Sequence, residues 1–86
     1  MHRLRSLWIL ATLLISLSAP AVAATEQDAT RLMQRGDFAE AAQAYAALVQ
    51  QNPKSLRLRL DLADALAKDR QWQQAIAEYQ AVLKLA

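Results

Sequence analysis

Shifted against itself by 34 residues, the chain pairs like with like. Ala29 meets Ala63, Leu32 meets Leu66, Ala41 meets Ala75, Tyr45 meets Tyr79 and Ala47 meets Ala81. Phe38 falls on Trp72, Leu48 on Val82 and Val49 on Leu83, so large positions stay large and small ones stay small. Self-similarity at a fixed period means that one supersecondary unit has been built twice, and such a unit buries its apolar face only by stacking on its neighbour. Alanine at a fixed phase lets a neighbouring helix approach closely, while the aromatics fill the space beside that contact.

Each unit reads as two helices. Thr25, with Asp28 three residues on, predicts a capping box that opens a helix running to about Gln34. Gly36 offers a left-handed position at no steric cost. Asp37 and Glu40 predict a second capping box, and Ala41, Tyr45, Leu48 and Val49 recur along one face of the helix that follows. Asn52-Pro53 stops that helix, because proline disfavours helix in the residue before it. Ser55 is the expected cap of a third helix from Leu56 to about Lys68, with Leu58, Leu62, Ala65 and Leu66 on its apolar side. A fourth runs from Gln71 or Trp72 to the end and carries Ala75, Ile76, Tyr79, Val82 and Leu83. Its entry turn is weaker, since Arg70 and Gln71 stand where the first unit has Gly36 and Asp37. A non-glycine in a left-handed turn costs about 1 kcal/mol and a lost cap roughly another. Asp69 is the alternative occupant of the left-handed position.

The first 23 residues do not share the period. Arg3 and Arg5 make a basic start, Leu7 to Leu17 is apolar, and Ala21-Val22-Ala23 supplies the small residues a signal peptidase accepts. The apolar run is shorter than the roughly 20 residues a spanning helix needs. Residues 1–23 are therefore expected to be a secretory signal cleaved after Ala23, with the mature protein periplasmic or secreted. An inner-membrane anchor is the alternative if cleavage fails, and membrane contact is expected only through this segment. No cysteine follows the small residues, so lipid attachment at a new N-terminus is not available.

Removing the leader also removes Arg3, Arg5 and the single histidine, His2. Of 10 basic residues in the whole chain, eight then face 8 acids, and the basic pI is a property of the leader rather than a sign of nucleic-acid binding. The mature chain has neither histidine nor cysteine, which excludes zinc sites of those ligands and a Ser–His–Asp catalyst. Gly36 is the only glycine, so no glycine-rich phosphate loop exists. No cofactor is expected.

Asp61 and Asp64 share a helix face, but Arg57 and Lys68 stand at the spacing that pairs each of them in a solvated surface. Arg57 and Arg59 point in quite different directions on a helix and make no basic stripe. Phe38, Tyr45, Trp72 and Tyr79 have core spacing rather than the layout of a ligand cage. The chain reads as a non-enzyme with no nucleic-acid partner.

These residues resemble the tetratricopeptide repeat family, whose unit is a 34-residue helix–turn–helix. Ala29, Leu32, Gly36, Phe38, Ala41, Tyr45 and Pro53 carry the likeness in the first unit. Leu62, Ala63, Leu66, Trp72, Ala75 and Tyr79 carry it in the second. Thr25 and Asp28 depart from positions that are large in the family, so the opening helix is expected to be frayed or a terminal cap; Arg59 departs likewise in the second unit. The resemblance implies an all-α solenoid of four helices, residues 24–86, in repeats of about 24–55 and 56–86.

It also implies that the first helix of each unit lines a groove for a peptide or partner protein. Carried over, the groove positions are Glu26, Thr30, Met33 and Gln34, then Arg57, Leu60, Asp64, Ala67 and Lys68. The family's clamp for carboxylate tails uses lysines and asparagines, and the one asparagine, Asn52, lies off this surface. The resemblance suggests an exported adaptor or scaffold in the bacterial envelope. The alternative is the recruiting arm of a larger secretion, polysaccharide-export or cell-wall complex whose working domain lies beyond Ala86.

Arrays of this kind usually need about three units. Two units leave an uncovered apolar side on the last helix, expected from Ile76, Tyr79, Val82 and Leu83. A longer protein, self-association through that side, and completion by a partner each account for it; the repeat count favours the first.

Overall fold

The computed structural model describes residues 24–86, and the leader assigned to residues 1–23 lies outside them. Among the described residues there are four helices and no strand: α1 (Glu26–Arg35), α2 (Phe38–Gln51), α3 (Leu56–Lys68) and α4 (Trp72–Leu85). Extensive packing joins α1 to α2, α2 to α3 and α3 to α4. Two helical hairpins thus stack in series.

The ends of the helices follow from local chemistry. The Thr25 hydroxyl accepts from the Asp28 amide at 3.1 Å, and the Asp28 carboxylate accepts from the Thr25 amide at 3.4 Å. This reciprocal capping box caps the start of α1, so the helix begins at Glu26 with both bonds of the motif in place. At its other end Gly36 takes φ +82. The Gly36 amide donates to Met33 at 3.1 Å and the Asp37 amide to Leu32 at 2.9 Å, a Schellman closure. Arg70 and Gln71 repeat it one period later, donating to Ala67 at 3.0 Å and Leu66 at 2.9 Å. Arg70 itself carries the positive φ of 64, while Asp69 stays at −84, so the alternative left-handed residue is not used. Asp37 makes no capping bond, contrary to expectation: its carboxylate turns back to the Arg35 guanidinium at 3.5 Å. Ser55 caps α3 by accepting from the Leu58 amide at 3.2 Å.

The core runs through the stack. Ala29, Ala41, Ala63 and Ala65 have no exposed surface, and Ala75 nearly none. Tyr45, Leu48 and Val49 of α2 are buried with Leu58, Leu62 and Leu66 of α3. Each such leucine contributes about 1.5–3 kcal/mol by leaving water. The four aromatics do not all join this core. Tyr45 is buried, Phe38 and Tyr79 are half-buried, and Trp72 is 59% exposed. α3 passes over the part of α2 that holds Phe38, whereas among the described residues no helix follows α4 to cover Trp72. The same absence leaves Ile76 and Leu83 exposed, as expected, while Val82 and Tyr79 turn partly inward.

Two predictions follow from these positions. Ala41→Trp and Ala75→Trp should each lower stability by about 1–3 kcal/mol through overpacking, whereas Ala39→Trp, at an exposed site, should change the thermal midpoint little. Arg70→Gly should raise stability by up to about 1 kcal/mol by relieving the left-handed backbone, and Gly36→Ala should lower it by a similar amount, since the added Cβ meets no atom within 4 Å and only the backbone strains. Chemical denaturation of each variant measures both effects.

Candidate partner-binding surface

The resemblance puts the partner on the first helices, α1 and α3. Glu26, Thr30 and Gln34 are exposed on α1, and Met33 is half-buried against the core. On α3, Arg57, Leu60, Asp64 and Lys68 are exposed and Ala67 is half-buried.

One direct bond joins the two helices on this face. The Arg57 guanidinium donates to Glu26 Oε1 at 2.6 Å and lies 3.8 Å from Asp61. The bond to Arg57 holds the Glu26 carboxyl below its ordinary range, and Glu26 in turn raises Arg57. Both groups are solvated, so this bridge contributes little to stability.

A second feature recurs in both units. Tyr45 Oη lies 3.5 Å from Thr30 Oγ1, and Tyr79 Oη donates to Asp64 Oδ1 at 2.6 Å. Thr30 and Asp64 are one period apart, as are the two tyrosines. In each hairpin the tyrosine of the second helix therefore reaches the first-helix surface with its hydroxyl. Hydrogen bonding to Asp64 raises the Tyr79 phenol above its ordinary value.

Lys68 does not meet Asp64, the i,i+4 partner that spacing suggests. Its Nζ lies 5.8 Å from the centre of the Phe38 ring, over the start of α2, where the ring face attracts the cation. Asp64 is left to Tyr79. Arg59 shows why its position need not be apolar. Its Nε donates to the Pro53 carbonyl at 2.8 Å and its Nη1 to Glu78 at 3.1 Å, so one guanidinium ties the inter-unit turn to α4.

The most apolar hollow lies elsewhere. A cavity of about 430 Å³ opens between α2, α3 and α4, floored by Leu62 and Leu66, walled by Ala42, Ala46 and Ala77, and rimmed by glutamines. None of the nine groove residues lines it. Its signal in the sequence is the spacing of Ala42 and Ala46, small residues one turn apart opposite two leucines one turn apart. Among the described residues no group of three or more metal-ligating side chains gathers, and no helix is long and apolar enough to cross a membrane.

A family model described as tetratricopeptide repeat matches residues 32–86. No curated protein and no solved structure matches the chain.

Asp61 provides a test of the electrostatics. Burial raises its carboxyl above the ordinary 3.8, against the opposing pull of Arg57. A raised carboxylate pKa means that the folded state disfavours the charged form. The penalty is present above the folded value and vanishes below the unfolded one. Asp61→Asn should therefore raise the thermal midpoint at neutral pH, with the difference from wild type closing as pH falls below 3.8. Thermal melts across pH check the sign.

Proposed function

The chain belongs to the tetratricopeptide repeat family, generally a non-catalytic protein-interaction fold, and we propose that it is an exported adaptor seating a polypeptide partner on the α1–α3 face. The observation that supports this reading is the Arg57–Glu26 bridge, which joins the two first helices on that face. Along the paired helices Met33, Leu60 and Ala67 offer apolar contact between charged side chains of both signs. Such a strip suits a peptide that carries both charges and a few aliphatic side chains. Export rests on the basic start, the short apolar run and the Ala21-Val22-Ala23 site of the leader.

The apolar cavity between α2 and α4 favours a second reading, in which a partner anchors an aliphatic side chain over Leu62 and Leu66. One experiment separates the two. The bait is the chain recovered from the periplasm, with a mass expected to begin at Ala24. An intact Met1 would overturn cleavage. Wild-type bait is compared with a Leu60→Glu/Lys68→Glu double variant and with Ala46→Trp, which fills the cavity. The double variant should lose its captured partner by at least about tenfold while Ala46→Trp retains it. The reverse pattern, with helicity intact in both, would move the partner to the cavity and defeat the first-helix assignment.

A further inference from the structure

The outer face of α4 bears Trp72, Ile76 and Leu83, which are 59%, 54% and 77% exposed, with half-buried Tyr79 between them. Their spacing of four, three and four residues keeps all four within about 60° of one another at about 100° per residue. That is the seam spacing of two helices packed along their length. One period earlier the same positions are Phe38, Ala42, Tyr45 and Val49, and α2 has all four buried or half-buried.

Charge decides what can cover this face. From Trp72 to Leu83 the only ionisable group besides Tyr79 is Glu78, which Arg59 already holds at 3.1 Å. The seam therefore carries no free charge, and a second copy of it can approach without repulsion. A head-to-tail stack of copies is opposed. In such a stack α1 would take the place α3 has on α2, and Asp28 and Arg31 would stand where α3 has Leu62 and Ala65. Both are exposed and pair with each other at 4.0 Å, so covering α4 with them would bury an ion pair against apolar side chains. The outer face of α1 is polar at these positions, as in terminal units of repeat proteins.

We propose that α4 docks on α4 of a second copy, antiparallel and about a two-fold axis. The 4-3-4 spacing reads the same in reverse, so it mates with a reversed copy, with Trp72 opposite Leu83 of the second copy and Ile76 opposite its Tyr79. Reversal also opposes the two helix dipoles, where a parallel pair would align them. An isologous contact of this kind stops at two copies. It involves four side chains from each copy, so assembly depends on concentration. It also leaves the α1–α3 face free, and it stands whichever surface takes the partner.

The chain has no cysteine, so a single introduced thiol reports position without interference. Gln73→Cys and Gln80→Cys flank the seam on one side, at exposed sites. Mixed in equal amounts as the chains recovered from the periplasm and oxidised, they should form the 73–80 disulfide well beyond the twofold excess over each like-with-like product that random pairing gives. Ile76→Glu, and independently Leu83→Lys, should reduce that product to background with helicity unchanged. The yields of random pairing, excess of the like-with-like products, or a cross-link insensitive to both variants would overturn the proposal. So would a native molecular weight that stays at one copy across the concentration range or grows beyond two.

Discussion

Two helices approach to within about 8–10 Å only where the side chains at their crossing allow it. In this chain that condition is met by alanine at one phase of each hairpin: Ala29 and Ala41 in the first, Ala63 and Ala75 in the second. All four are buried essentially completely, and nothing larger fits without moving a helix. From this close approach the rest follows. The tyrosine one turn after the second alanine of each hairpin reaches across to the first helix, and its hydroxyl emerges beside Thr30 or Asp64. The leucines of α3 are then held against α2, and the two hairpins become one stack.

The repeat made most of this legible. A lag of 34 predicts not only similar helices but similar bonds, and the paired tyrosine contacts and the paired Schellman closures are the same geometry written twice. Caps formed by Thr25 and Ser55 could be read from one residue and its neighbours, because those bonds are local. What could not be read was competition. Asp37 has the right identity for a cap, but Arg35 takes its carboxylate. Lys68 has the right spacing for Asp64, but the Phe38 ring lies nearer its reach and Tyr79 occupies the carboxylate. In each case two acceptable partners existed, and only the three-dimensional arrangement chose.

Trp72 teaches a different point. Its phase is that of Phe38, and phase correctly gave its direction. Burial, however, is a property of what lies opposite, and periodicity within one helix says nothing of that. The cavity between α2 and α4 escaped for a related reason: a hollow is made by what neighbouring helices fail to fill, and Ala42, Ala46 and Ala77 come from two elements far apart in the chain. The α1–α3 strip, in contrast, was inferred from the resemblance alone; seven of its nine side chains are exposed, Met33 and Ala67 are half-buried against the core, and Glu26 touches Arg57.

That each helix packs chiefly on its neighbours in sequence has a kinetic side. Closing contact between adjacent helices requires only a short loop, and loop-closure entropy grows with the length of chain that must be gathered. A topology so local reaches its folded form quickly, on the order of microseconds to milliseconds, and can start from either hairpin. Opening runs in the other direction. Among the described residues of a single copy, α1 and α4 each pack extensively on one neighbour while α3 lies between α2 and α4, so within residues 24–86 the amides of α3 are expected to be the last to meet solvent.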